Sequence, residues 1–235
     1  MPRYRPVVLA AACALALAAP ASAAYAASAH HAAKPVLTVS KKGGPAVGKR
    51  AALKASLAKG KDAMFALKTT SFGTFSATCS RSTLRATVAA NPSQRGKATL
   101  SLTGETVSHC KLSGVPAGLS ISLTSIKALN LPYGATVSSA KGFPITIAGS
   151  SATKPLTFQA TIDVSSTPLT CAYTAKKATA HASNTGNKVS LVKQKLTLAA
   201  SSPYECAVAP SVTFSATYGP LRDTSVKHSP KVFFN

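Results

Sequence analysis

Thr74-Phe75-Ser76-Ala77-Thr78 alternates polar and apolar residues, and the same five letters return at Thr213-Phe214-Ser215-Ala216-Thr217. A near copy, Thr157-Phe158-Gln159-Ala160-Thr161, lies between them. Successive side chains of an extended chain point to opposite faces, so this rhythm puts Phe and Ala on a core and Thr and Ser in solvent. The copies have no constant period, which argues for repeated strand chemistry and against a solenoid. Working outward, strand patterns cover Thr83–Ala90, Lys97–Val107, Leu119–Ala128, Ala135–Ser139, Pro144–Ala148, Thr170–Thr179, Val189–Ala199 and Val232–Phe234. Turn clusters divide them, at Asn91-Pro92-Ser93, Leu131-Pro132-Tyr133-Gly134, Lys141-Gly142-Phe143-Pro144, Asn184-Thr185-Gly186-Asn187 and Ser201-Ser202-Pro203. Many short strands separated in this way predict an all-β fold: a disulfide-stapled β-sandwich, immunoglobulin-like or a related Greek-key arrangement. Upstream, Val36–Val39 fits a first strand. Gly48–Gly60 fits a helix through Leu53 and Leu57 or a strand through Leu53, Ala55 and Leu57, and the reading leans to strand.

The N-terminus has the pattern of a secretory signal peptide. Arg3 and Arg5 precede an apolar run from Val7 to Ala19, and small-residue cleavage sites follow at Ala21-Ser22-Ala23 and Ala27-Ser28-Ala29. That run is too short for a membrane span. Cys13 lies inside it and does not close it, unlike a lipid-anchored cysteine. The expected organisation is residues 1–29 as signal peptide, cleaved after Ala23 or Ala29, then 30–70 as a basic segment able to supply edge strands, then 71–235 as the β-sandwich. Export gives a secreted protein, extracellular or cell-wall associated, with no transmembrane segment in the mature chain. In that oxidising space Cys79, Cys110, Cys171 and Cys206 become disulfides. Separations of 31 and 35 residues favour Cys79–Cys110 and Cys171–Cys206, although four cysteines allow three pairings. Each such loop closure contributes roughly 3–4 kcal/mol in the chain-entropy model. Zinc would want close-spaced ligand pairs such as CxxC, which do not occur.

Charge is the other strong signal. The chain has 27 Lys and Arg against five Asp and Glu, a formal net charge of +22. Asp62, Glu105, Asp163, Glu205 and Asp223 are scattered singly. The densest basic cluster is Lys41, Lys42, Lys49, Arg50, Lys54, Lys59 and Lys61. Lysines make loose, salt-sensitive attractions, so cell-envelope polyanions are the expected partners through these seven residues. No recognition helix or aromatic stacking pattern points to specific nucleic-acid binding.

Catalytic patterns are scarce. There is no GxSxG elbow and no phosphate-cradling glycine loop, and the acids do not pair in sequence. The expected protein is therefore non-enzymatic and needs no cofactor. A second reading is an inhibitor-like or ligand-carrying β-domain, with the loops Leu131–Gly134 or Leu221–Asp223 as contacts. A remote third is a copper enzyme. Cleavage after Ala29 would expose His30, whose amine and imidazole with His109 or His181 would resemble the brace of the copper-dependent polysaccharide monooxygenases.

Four stretches carry a family resemblance: Asn130-Leu-Pro-Tyr-Gly-Ala-Thr-Val-Ser138, His181-Ala-Ser-Asn-Thr-Gly186, Ala216-Thr-Tyr-Gly-Pro-Leu-Arg-Asp-Thr-Ser225 and Ser229-Pro-Lys-Val-Phe-Phe-Asn235. They resemble a group of small exported actinobacterial, streptomycete-like proteins that are often labelled only by their export signal. The resemblance covers most of the mature chain, both cysteine pairs included, and implies export but no activity.

Overall fold

The computed structural model describes residues 34–235 except 72, 94 and 95. The expected signal segment, its expected cleavage sites and His30 lie outside the described residues. The strands are β1 (Leu37–Val39), β2 (Ala52–Ser56), β3 (Ala63–Lys68), β4 (Thr74–Ala90), β5 (Lys97–Ser113), β6 (Ile121–Leu129), β7 (Tyr133–Ser138), β8 (Pro144–Ala148), β9 (Leu156–Val164), β10 (Thr167–Ala175), β11 (Lys177–Ser183), β12 (Lys188–Leu198), β13 (Ser211–Tyr218), β14 (Arg222–Asp223) and β15 (Val232–Phe234). Helix is confined, among the described residues, to a short 3-10 turn at Tyr204–Val208. No helix there is long and apolar enough to cross a membrane.

Thirteen of the strands form one sheet, and that sheet closes on itself. Several consecutive strands continue one another along a single course. β2 runs into β3 against β4, β6 into β7 against β5, β8 into β9 against β7 and β6, and β10 into β11 against β9 and β8. With β4, β5, β12 and β13 this makes an eight-course antiparallel barrel whose neighbours in space are neighbours in sequence. β13 returns to β3 from Ser211↔Lys68 to Ser215↔Met64 and closes the wall. The sandwich expectation is corrected here, although the all-β class and the two disulfides stand. A sandwich needs two sheets with free edges, and a Greek key needs a strand that skips its neighbour; these ladders provide neither. Closure satisfies the strand edges within the wall, as in up-and-down barrels.

Two candidate strands, Thr74–Thr78 and Thr83–Ala90, are one seventeen-residue strand, β4. Inward positions run Phe75, Ala77, Cys79 and then Ser82, Leu84, Ala86 and Val88, so the alternation slips one step across Ser80-Arg81. The partner strand slips at the same level, where His109 has φ 55° beside Cys110. The register is the same on both sides of this point, from Cys79↔Cys110 to Arg81↔Ser108, and the Cys79–Cys110 disulfide joins directly paired positions there. The second disulfide, Cys171–Cys206, ties β10 to the 3-10 turn. Both pairs are those favoured by spacing.

The basic segment 34–70 belongs to the same compact unit as the rest of the described chain. β2 shows Leu53 and Ala55 buried and Lys54 exposed, which is the alternating reading of Gly48–Gly60. β3, Ala63-Met-Phe-Ala-Leu-Lys68, carries no turn signal at its borders that sequence reading used, yet it completes the wall. Outward positions are mostly Thr, Ser and Lys, as with Lys188, Ser190, Lys195 and Thr197 on β12. Inward positions are Phe, Leu, Ile, Val, Ala and Tyr.

Candidate functional site: an apolar cavity along the barrel axis

The two ends of the barrel differ. At one end the β1–β15 ribbon lies across the opening, with Val36, Leu37, Val232 and Phe234 fully buried. Four asparagines hold it there. Asn91 donates from Nδ2 to the carbonyls of Leu37 and Val47 and accepts from the Leu37 N–H at 2.8 Å. Asn184 makes the same two-way clasp with Phe234, and Asn187 donates to the Val232 carbonyl at 2.9 Å. Asn235 donates to the Pro35 carbonyl and to Thr38 Oγ1, and accepts from the Gly43 N–H at 2.7 Å. This end is sealed.

The other end is formed by residues 69–71, 73, 114–120, 165–166 and 199–210. These loops contain no Lys or Arg in a chain of net charge +22, and Glu205 is their one charged residue. Instead they expose carbon: Leu119 is 41% exposed, Val164 at the adjoining strand end 36%, Val208 47% and Tyr204 84%. The 3-10 turn lies beside this mouth. Its Cys206 is buried and bonded to Cys171 of β10, and the Val208 carbonyl accepts from the Thr70 N–H at 2.9 Å.

Below the mouth the barrel encloses a cavity of about 300 Å³. Its wall is built by the inward residues of seven strands and the turn, among them Phe65, Phe75, Leu112, Ile126, Phe158, Ile162, Leu169, Tyr173 and Val212. The exposed Leu119, Val164 and Val208 line it as well, so mouth and cavity form one apolar surface. The recurrent pentapeptide explains the lining. Phe75, Phe158 and Phe214 are its three phenylalanines, and each turns inward from a different strand. Phe158 and Phe214 meet Phe65 with ring centroids at 5.5 and 4.7 Å, and each other at 5.3 Å. Within this cluster Phe65 and Phe158 line the upper cavity, and Phe158 and Phe214 line the space below it.

Two smaller apolar spaces continue down the axis, of about 40 and 60 Å³. Phe158 borders the upper and middle spaces, and Tyr218, Leu84, Leu102 and Ile147 border the middle and lower ones. The middle space is lined by a carboxylate, that of Glu105. A register shift on β5 opposite Arg85 and Ala86 leaves Thr103 outside the pairing, so Glu105 faces inward after Leu102 has done so. Oε1 of Glu105 accepts from the Tyr218 hydroxyl at 2.9 Å. The residue is half-buried by surface area, yet it lines this interior space and burial desolvates its carboxyl. Burial pushes it up to about 7, against a smaller lowering by the Tyr218 hydrogen bond. Tyr218 is itself raised well above the ordinary tyrosine range, first by burial and then by the Glu105 charge.

All seven residues of the basic cluster are exposed. Lys41 and Lys42 follow β1, Lys49 and Arg50 precede β2, Lys54 lies on β2, and Lys59 and Lys61 lie in the β2–β3 connection. They track one course of the wall and do not gather into a pocket. His109 and His181 are both exposed, on β5 and β11, and His30 lies outside the described residues. Among the described residues no group of three or more His, Cys, Asp or Glu could hold a metal ion.

The two expected contact loops have structural work. Tyr133 is buried where β6 passes into β7; its hydroxyl donates to the Leu129 and Thr157 carbonyls and accepts from the Thr157 N–H at 3.1 Å. Asp223 is buried too, and its Oδ1 accepts from the N–H of Ser225 at 3.0 Å. Neither is an exposed contact residue. The cavity was not visible to sequence reading, because it depends on which strands close the ring. No protein-family model, curated protein or solved structure matches the chain.

Proposed function

We propose that this protein is a secreted, non-enzymatic carrier that holds an apolar small molecule inside its barrel. The observation that carries the reading is the cavity of about 300 Å³, walled by hydrocarbon and open at an end whose rim is also hydrocarbon. Eight-stranded barrels of this kind are wide enough to hold one small ligand, and apolar pockets of this volume are typical ligand sites. A cavity of half the size accepts benzene, so the space suits roughly a dozen carbon atoms. At about 0.8 kcal/mol per buried methylene, less the cost of association, the affinity falls in the micromolar range or weaker. The cationic outer wall, including Lys41, Lys42, Lys49, Arg50, Lys54, Lys59 and Lys61, supports a companion role in attraction to envelope polyanions.

Titration with N-phenyl-1-naphthylamine, which fluoresces in apolar surroundings, tests the reading. One saturable site is expected, lost when Ala160→Trp fills the cavity. A dye response that Ala160→Trp leaves unchanged would remove the proposal.

A further inference from the structure

Glu105 is an unusual residue to find where it stands. The chain has only five acidic residues, and this one faces the barrel interior instead of water. Its Oε1 is taken by Tyr218. Among the described residues no group bonds Oε2, and no enclosed side-chain oxygen or nitrogen there lacks a partner, so Oε2 keeps an open surface. The space that Glu105 lines is the middle one. A carboxylate kept in an apolar interior with half its acceptor capacity unused costs stability, and such a group is a candidate site for a ligand.

We infer that Glu105 is the polar anchor of the bound ligand, and that the ligand is a single-chain amphiphile whose head is a hydrogen-bond donor, an alkyl alcohol or amine. The inference rests on the carrier reading and specifies its ligand. The middle space of about 40 Å³ has room for a head of one or two heavy atoms, and the upper cavity takes the chain. Phe158 is the residue common to both linings, so the molecule threads past its ring. A hydroxyl or ammonium donates to Oε2 without displacing Tyr218. A carboxylate head would instead place two negative charges in a low-dielectric site. An alkane leaves Oε2 unpaired. The upper cavity makes this distinction poorly, since its wall is hydrocarbon apart from Thr69, Tyr173, the Cys171–Cys206 disulfide and the rim residue Glu205, none of them a carboxylate in the interior.

Four ligands of equal chain length test it: decanol, decylamine, decane and decanoate, each competed against N-phenyl-1-naphthylamine on the wild-type chain and on Glu105→Gln. A hydrogen bond to a charged acceptor is worth about tenfold or more in affinity. At about pH 8, where the carboxyl is ionised, decanol and decylamine should bind at least about tenfold tighter than decane and decanoate, and Glu105→Gln should erase that preference. A circular-dichroism spectrum that matches the wild-type chain, with both disulfides intact by mass, shows that Glu105→Gln is folded. Equal affinity for all four ligands overturns the anchor while leaving the carrier reading intact, as does a preference that survives Glu105→Gln. Failure of every ligand and of the dye removes the carrier reading itself.

Discussion

Tyr218 donates its hydroxyl to Oε1 of Glu105 at 2.9 Å, and the same hydroxyl lies 2.9 Å from Ser82 Oγ, which donates to it in turn. Three strands, β4, β5 and β13, thus meet in one hydrogen-bonded chain at the middle of an apolar barrel. Buried polar chains of this kind stabilise only while every member is satisfied.

The protonation of Glu105 ties stability to pH. Its carboxyl is raised from 4.5 to about 7 by burial, so between these values the folded chain binds a proton that the unfolded chain has released. Stability from this group is complete below about pH 4.5 and is lost as pH rises through about 7, a change of about 3 kcal/mol at 1.36 kcal/mol per unit. Urea denaturation at about pH 5 and about pH 8 should show that loss, and Glu105→Gln should flatten it. A wild-type stability that rises across the same interval would contradict the burial of the acid.

Filling the cavity should separate binding from folding. Ala160 borders the upper space, so Ala160→Trp should abolish dye binding while leaving stability unchanged or higher by about 0.5–2 kcal/mol. Ala180 is buried in the wall and borders none of these spaces. There Ala180→Trp overpacks and should cost about 1–3 kcal/mol or more. Thermal melts of the two variants provide the comparison.

The two disulfides should differ in what they control. Replacing either pair by serine should cost about 2–4 kcal/mol. Cys79–Cys110 joins adjacent wall strands, whereas Cys171–Cys206 pins the 3-10 turn beside the mouth. Loss of Cys171–Cys206 alone should speed release of bound dye, as measured by stopped-flow competition. Equal release rates in both variants would mean that the turn does not govern access.

At the sealed end, Asn235→Ala strips partners from the Pro35 carbonyl, Thr38 Oγ1 and the Gly43 N–H at once. Unpaired buried groups cost about 1–3 kcal/mol each, so a single terminal residue should weaken the fold by about that much or more. The shift in urea midpoint measures it. An effect below about 0.5 kcal/mol, usual for surface positions, would show that the ribbon is not a structural seal.

Much of the wall was legible in the sequence, because period-two alternation survives in single strands. Pro144–Ala148 and Val232–Phe234 emerge at the expected residues, and Leu53, Ala55 and Lys54 resolve the ambiguous segment as strand. The cysteine separations indicated the true pairs. What escaped was long-range. Alternation tells which face is buried but not against what, and a sandwich and a barrel share that pattern until the β13–β3 ladder is known. The β5 register shift at Thr103 hid Glu105, since strict alternation does not place it inside with Leu102. Asn184 and Asn235, which stand in two of the quoted stretches, prove to be components of the seal.

The most direct test is native mass spectrometry of the disulfide-intact chain mixed with decanol, beside its Ala160→Trp variant. The account expects one added molecule per wild-type chain and none on the variant. Absence of the adduct on the wild-type protein, or equal loading of both, would contradict an internal site.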